Sequence, residues 1–412
     1  MSKIQKPEHV FTPRSAAVNL EMYVSRRLLE AALRKGLRGS LHLVIHGESG
    51  TGKSWLYKKV FADDKVTYEV VNLATAPACG SIAAACAAIL ERQGKPTKTG
   101  YQETKEGELN AGVAKAKINH VGVYELGQKQ PFEHLLERIR AKAGDGQAVL
   151  VLDNLEAITA KPELLDELAN LIILCDDEQH AEYKVQVLIV GVPASLREYY
   201  YNTGNHESVA NRLSELPGVQ RLSASECDTL VERGFSTELR YGVDNIKATL
   251  EHVNWVTDRV PQKVHEYCLE VAYLAEPKRR VQATMLRDAD LQWMQTSLYQ
   301  SYSVIESHMN NRDTRTGRRN QTLYCLAICD GEQFRAAEVE ALLRKEFPNS
   351  TRRVTLNIAQ VLSDLANGPM ALIKRSPKGD AYFFVQPSYR MTLRLMLRKD
   401  DEEKVYKLAL SR

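Results

Sequence analysis

The residues with the most definite chemistry are Gly47, Glu48, Ser49, Gly50, Thr51, Gly52, Lys53 and Ser54, a Gly-x4-Gly-Lys-Ser run followed by Trp55. Glycines let the backbone turn tightly enough for successive N–H groups to point at phosphate oxygens. Lys53 supplies a cation for β- and γ-phosphates, and Ser54 a hydroxyl for Mg2+. The chemistry implied is binding of a nucleoside triphosphate. Asp153 is a second candidate, because it ends the apolar run Ala148-Val149-Leu150-Val151-Leu152. A carboxylate at the carboxyl end of a buried parallel strand can hold the water shell of Mg2+. The alternative is a helix N-cap. Near the other end of the chain, Arg353, Asn357 and Gln360 are side chains able to read base edges, with Lys374, Arg375 and Lys378 close by as phosphate contacts.

These residues need elements to hold them. Leu41–His46 is an apolar run before the glycine loop and Trp55–Phe61 is apolar-periodic after it, so the order is strand, loop, helix. Strands are expected at 66–73, 148–153 and 185–190. Helices are expected at 28–37, 81–92, 132–143 and 162–175. Five consecutive apolar residues before Asp153 imply burial on both faces, as in the middle of a parallel sheet. Residues 94–130 are rich in Lys, Gly, Glu and Thr and read as an exposed insertion. After Leu222 the spacing predicts helices only, at 226–233, 243–253 and 261–275, and then one from about 289 to 309. Residues 310–320, with Arg312, Arg315, Arg318 and Arg319, read as a basic linker.

The last hundred residues give three helices, at 323–328, 336–347 and from Ser350 or Thr351 to Ala366, followed by strands at 371–375 and 381–385. That is the winged-helix plan. On its third helix Val354, Ile358, Val361, Leu362 and Leu365 form the apolar stripe, which leaves Arg353, Asn357 and Gln360 together outside. A helix carrying Arg, Asn and Gln suits the major groove of DNA; a solvated face serving protein contacts is the alternative.

A chain of 412 residues with a composition 44% hydrophobic and 26% charged is that of a globular protein of two or three domains. The boundaries fall at 1–222, 223–300 and 301–412. No run approaches the apolar length of a membrane span, and Met1–Phe11 has no signal-like apolar stretch. Seven cysteines without paired Cys-x2-Cys units suit a reducing cytoplasm, and Cys325 and Cys329 share one helix face as buried side chains. A net charge of +3 does not by itself imply nucleic acid.

The order of glycine loop, strand ending in Asp153, helical segment and winged helix resembles the AAA+ ATPases of the origin-initiator class (ORC/Cdc6-like). Val187-Leu188-Ile189-Val190-Gly191-Val192-Pro193 is closer to the ATPases of transposition regulators. Val151-Leu152-Asp153-Asn154-Leu155-Glu156 is closer to the STAND signalling ATPases. The resemblance covers about 20–275 and 320–395. It implies an α/β class, a P-loop αβα parallel-sheet domain with a helical lid and a C-terminal winged helix. It also implies that Tyr23, Val24 and Arg26 hold the adenine base, and that Arg259 or Lys263 in the lid meets the γ-phosphate. Arg212 would reach a neighbouring subunit's nucleotide. The family usually has Glu directly after the metal-binding Asp; here Asn154 stands there, and Glu156 is the substitute base. A polar sensor is expected where Gly191 stands.

The expectation is an ATP- and Mg2+-dependent cytoplasmic switch, a slow ATPase using Lys53, Asp153, Asn154, Glu156 and Arg212, which forms homo-oligomers and engages double-stranded DNA. The alternatives are a STAND-like signalling or defence ATPase that recruits a partner protein, and a transposition or helicase-loading accessory.

Overall fold

The computed structural model describes residues 5–92, 130–191, 196, 200, 207–310, 317–329, 331–376 and 379–410. The expected insertion, apart from Gln130, lies outside the described residues. So do Val192, Pro193, Arg312, Arg315 and Lys378. Packing divides the chain into two compact units, one of Arg26–Gly47 and Leu56–Val219, the other of Met1–Ser25, Glu48–Trp55 and Gln220–Arg412.

The first unit is a layered α/β domain. Its elements are α1 (Arg27–Leu37), β1 (His42–His46), the body of α2 (Lys53–Asp63), β2 (Thr67–Asn72), α3 (Ile82–Arg92), α4 (Pro131–Ala143), β3 (Ala148–Asp153), α5 (Pro162–Cys175), β4 (Val185–Gly191) and β5 (Leu213–Glu215). The strands pair in parallel in the order β2-β3-β4-β1-β5. One face buries Val44, Leu150, Leu152, Val187 and Ile189 against α3, α4 and α5. The other buries Leu43, Ile45, Val149, Val151, Leu188 and Val190 against α1 and α2. Burying both faces explains why β3 is a continuous apolar run before Asp153 and why β1 and β4 are apolar but for His42, His46 and Gln186. Each fully buried aliphatic side chain contributes about 2 kcal/mol. The polar Gln186 in β4 is satisfied, its amide donating to the carbonyls of Gly36 at 3.1 Å and Leu41 at 2.5 Å.

The second unit is mainly helical: α6 (Ala224–Glu232), α7 (Ile246–Thr257), α8 (Pro261–Ala275), α9 (Ala283–Thr296), α10 (Tyr299–His308), α11 (Arg318–Ile328), α12 (Ala336–Glu346), α13 (Ile358–Ala366) and α14 (Pro387–Met396). Ser223 and Glu226 form a capping box that starts α6. Three small sheets accompany the helices: the parallel pair β6 (Gly242–Val243) and β7 (Arg280–Val281), the antiparallel sheet of β8 (Gln333–Phe334), β9 (Ile373–Arg375) and β10 (Tyr382–Phe384) in the order β8-β10-β9, and the hairpin of β11 (Leu397–Lys399) and β12 (Val405–Lys407). One apolar core runs from Val10 and Phe11 through α6 to β12. It crosses residue 300 without interruption, where the sequence suggested a boundary. Cys325 and Cys329 are buried in it.

Several expectations are corrected here. The helix read from 289 to 309 is two helices, because the amides of Ser297 and Leu298 both bond to the Trp293 carbonyl at 3.0 Å and turn the chain. The β6–β7 pair interrupts the stretch read as purely helical. Arg318 and Arg319, read as part of the basic linker, instead begin α11. The third helix of the last hundred residues also breaks. A short turn at Pro348–Thr351 is followed by coil, and α13 starts only at Ile358. Arg353 and Asn357 have left-handed backbones, with φ of 56° and 51°, which a continuous right-handed helix cannot include. Val354 is accordingly exposed instead of lying in an apolar stripe.

Gly234 lies in a single π-turn, Arg233–Glu238, where a Cβ would stand 2.4 Å from Phe11 Cζ. Gly234→Ala is therefore expected to destabilise the protein by about 1–3 kcal/mol. The measurement is the thermal unfolding midpoint, with Gly242→Ala, whose added Cβ meets Arg280 Cγ at an ordinary 3.7 Å, as the neutral comparison.

Candidate functional site

The glycine loop is built as its composition demands. Gly50 and Gly52 have φ of 83° and 94°, values that a Cβ would strain. A Cβ on Gly50 would also meet Gln262 Oε1 at 3.0 Å and Val260 Cγ1 at 3.2 Å. The loop is thus pressed against the start of α8, and Gln262 N donates to the Gly50 carbonyl at 3.1 Å. Buried Thr51 closes the turn by donating its hydroxyl to the Glu48 carbonyl at 2.8 Å. Lys53 Nζ folds back onto the same carbonyl at 2.9 Å, so the ammonium lies within the loop. Lys53 and Ser54 open α2, whose first turn brings backbone N–H groups and the positive end of the helix dipole to the loop. The loop can therefore wrap an anion in backbone donors with a cation at its centre.

The residues expected to frame a base belong to two groups. Trp55 Nε1 donates to the Ser15 carbonyl at 3.2 Å, and its ring meets the edge of His265 at 5.6 Å. The carbonyls of Glu21 and Tyr23 accept from Arg233 Nη1 at 3.1 and 2.9 Å, and Val24 packs on the apolar core. Arg26 instead belongs to the other unit, where its backbone N–H donates to Glu30 Oε1 at 2.9 Å and starts α1.

The lid cations are already engaged. Arg259, with φ of 57°, donates from Nε to the Leu222 carbonyl at 3.1 Å. Lys263 Nζ donates to Glu266 Oε2 at 2.6 Å. The cation that does reach the loop is Arg221, which the sequence reading missed. Its Nε and Nη2 grip the Glu48 carboxylate at 2.9 and 3.0 Å, while Nη1 pairs with Asp258. Glu48 and Arg221 are 173 positions apart and belong to no local motif, so the only sequence signal was a carboxylate inside a loop meant for anions.

At the carboxyl edge of the parallel sheet, β1 delivers His46 and Gly47, β3 delivers Asp153 and β4 delivers Gly191. Asp153 Oδ1 accepts from the Asn154 amide at 2.9 Å. Asn154 is left-handed, with φ of 65°, and its side chain turns to Asn72 Oδ1 at 2.8 Å. It therefore braces the end of β2. Glu156 is exposed on the turn Leu155–Ala157, and this turn explains the glycine at 191. A Cβ there would lie 2.5 Å from Leu155 Cβ and 3.3 Å from Glu156 Oε2. Tyr57 on α2 is a further residue that the sequence reading passed over. Its hydroxyl is buried without a hydrogen-bond partner among the described residues, and its ionisation is pushed far up by burial and by the charge of Asp153. Arg212 is at the opposite edge of the sheet. It pairs with Asp176 at 2.6 Å, and its carbonyl accepts from His42 N at 2.9 Å, at the start of β1.

The expected base-reading residues do not share a helix face. Arg353 and Asn357 precede α13, and only Gln360 lies on it, bonded to Asp364 Oδ1 at 2.8 Å. Lys374 and Arg375 are exposed on β9, their charged ends over the rings of Phe383 at 5.1 Å and Tyr382 at 5.6 Å. Among the described residues no single helix is long and apolar enough to cross a membrane.

Residues 37–200 match the family model described as AAA domain. No curated protein matches the chain. Among solved structures, the chain is similar to a Walker-type ATPase of Pyrococcus abyssi, with 13% identity over 93% of this chain and 99% of that one and a TM-score of 0.53. It is also similar to the Aeropyrum pernix ORC2 protein in its ADP form, with 14% identity, coverage of 95% and 99%, and a TM-score of 0.50. The likeness establishes the fold, a P-loop AAA+ sheet domain with helical domains.

The N-terminal segment depends on a neutral imidazole. His265 Nδ1 accepts from the Thr12 amide at 3.1 Å, and complete burial holds the ring's pKa down to about 4 from 6.5. The unfolded chain binds this proton as pH falls through 6.5 whereas the folded chain does not until about 4. Stability should therefore fall across that window, by about 3 kcal/mol from this residue, and level off below it. His265→Gln is expected to flatten that part of the pH profile of the unfolding midpoint.

Proposed function

We propose that the chain is an ATP-binding switch in which the loop from Gly47 to Ser54 takes the phosphates of Mg·ATP and the last hundred residues engage duplex DNA. The observation that carries this reading is the loop itself, with Lys53 Nζ drawn inside at 2.9 Å from the Glu48 carbonyl and the first turn of α2 directly behind it. That donor set suits a polyphosphate. Ser54 and Asp153 are the residues to hold Mg2+, which would supply charge neutralisation at the phosphates. Among the similar structures, the Aeropyrum pernix ORC2 protein is in an ADP form, which supports an adenine nucleotide. Tyr23, Val24, Arg26 and Trp55 remain the proposed surroundings of the base.

Hydrolysis, in this reading, is slow. Asn154 is turned toward Asn72, which leaves Glu156 to orient and deprotonate water. For Lys263 to reach a γ-phosphate it must leave Glu266, and Arg259 must leave the Leu222 carbonyl. Arg212 would have to exchange Asp176 for a neighbour's nucleotide to serve self-assembly.

The order α11, β8, α12, α13 and the β9–β10 hairpin supports a winged helix. Its DNA contacts would be Arg353 and Asn357 in the coil before α13, Gln360 on it, Lys374 and Arg375 on β9, and Lys378. A second reading, a signalling ATPase that recruits a partner protein, is favoured by one observation. Arg390 and Arg394 of α14 both bond to Asp258 at the end of α7 at 3.1 Å, as in a C-terminal segment stored on the lid.

Titration of a fluorescent ATP analogue should show saturable binding that Lys53→Ala weakens by at least about tenfold; equal affinity in that variant would overturn the assignment. Glu156→Gln is expected to slow turnover about a hundredfold with binding retained. Anisotropy of labelled duplex DNA should fall steeply with salt, and Lys374→Ala should lower the log–log slope by about 1. Absence of DNA binding in both nucleotide states would favour the signalling reading.

A further inference from the structure

Behind the phosphate loop lies a chain of charges that connects the loop to α14. Arg221 holds Glu48 through two nitrogens and Asp258 through the third. Asp258 is also shared by Arg390 Nη1 and Arg394 Nη1, each at 3.1 Å. Arg394 is fixed further by the carbonyls of Trp255 at 2.5 Å and Ala327 at 2.8 Å, with its guanidinium 4.0 Å over the Trp255 ring. These groups are nearly dry: the side chains of Arg221, Asp258, Arg390 and Arg394 are 10%, 6%, 2% and 6% exposed. Three guanidinium groups thus surround one carboxylate, and the carboxylate next in line, Glu48, belongs to the loop. Glu332 stands 3.8 Å from Arg221 Nε, and burial pushes its carboxyl toward the neutral form. Arg390 keeps Nε and Nη2 buried without a hydrogen-bond partner among the described residues. The cluster holds excess positive charge in a place where charge is poorly solvated.

We infer that Arg221 is a positioning residue for the phosphate loop and that Asp258 connects it to α14, so that nucleotide in the loop tightens the docking of α14 on α7. The inference rests on the loop's reading as a nucleotide site. Its first half is electrostatic. A carboxylate inside an anion-binding loop repels the ligand unless it is neutralised, and Arg221 neutralises Glu48 with a planar fork. Its second half follows from sharing. Arriving phosphates add negative charge beside Glu48 and Arg221, and so offset the mutual repulsion of Arg221, Arg390 and Arg394 around Asp258. Binding that favours one arrangement of a shared network must be favoured by it in return.

The test combines hydrogen exchange on the unmodified protein with nucleotide affinities of variants. Saturating Mg·ATP should slow amide exchange in peptides covering Pro387–Met396. Arg221→Gln should weaken ATP binding about tenfold, and Glu48→Gln added to it should restore most of that loss, because the repelling charge is then gone. Arg394→Gln should weaken ATP binding about fivefold, with Arg394→Lys in between. A purely structural role for Arg221 would not be repaired by removing Glu48. If the wild type binds ATP while exchange in α14 stays the same or quickens, the coupling is refuted; if the double variant binds as weakly as Arg221→Gln, the positioning role is refuted. Failure of the wild type to bind any nucleotide would refute the site itself, a result that precedes every variant and is read separately.

Discussion

The parallel pairing of β1 between β4 and β5 is the constraint on which the rest of the first unit depends. Parallel strands with buried faces allow no register slip, since a shift by one residue would turn every apolar side chain to the wrong layer. Fixed register places Asn72 opposite Asp153 and His46 opposite Gly191. The ends of four strands, three of them polar, thereby share one edge. In β3 the change of character comes only at the last residue, Asp153, so the chemistry of that edge leaves the core beneath it intact. Arg212, one sheet length away, can serve β1 and β5 without touching it.

Gly191 and Asn154 at this edge are both set by one turn. The turn Leu155–Ala157 packs so closely on the end of β4 that Gly191 has no room for a side chain. The same turn begins with Asn154 in a left-handed conformation, which carries its amide to Asn72. The one turn thus leaves no room for a side chain at 191 and gives 154 a backbone that suits asparagine, and it brings the Glu156 carboxylate to the end of β4. In the second unit the corresponding constraint is Asp258. It has a left-handed backbone at the end of α7, and its two oxygens are divided among three arginines.

What could be read in the sequence was what local physics determines. The five apolar residues before Asp153 gave β3, and Gly50 and Gly52 gave a loop because no other residue adopts their backbone without strain. Pro261 marked the first turn of α8. What failed was set by distant contacts. Arg353 gives no sign of a positive φ, and Asn357, although asparagine tolerates the left-handed region, is outweighed by apolar spacing that continues across the break. The turn at Ser297 and Leu298 contains neither proline nor glycine. The sequence reading ended at the β9–β10 hairpin and left out α14, whose arginines look solvent-facing although Arg390 is among the largest fully buried side chains. Buried arginine is rare enough that hydropathy reads it as surface; only a partner such as Asp258, 132 positions away, makes it tolerable.

The three tryptophans are distributed in a way that gives the molecule its own optical readout. Trp293 is fully buried and packs edge-on against Tyr267 at 5.3 Å, a constant background. Trp55 immediately follows the loop, its indole N–H fixed to Ser15, so its emission senses the polarity at the start of α2. Trp255 is 43% exposed and lies under the guanidinium of Arg394, a cation that perturbs an excited indole. Emission from Trp55 therefore reports on the start of α2 and that from Trp255 on the Arg394 end of the charge chain in the unlabelled protein, and substituting either tryptophan by phenylalanine separates the signals.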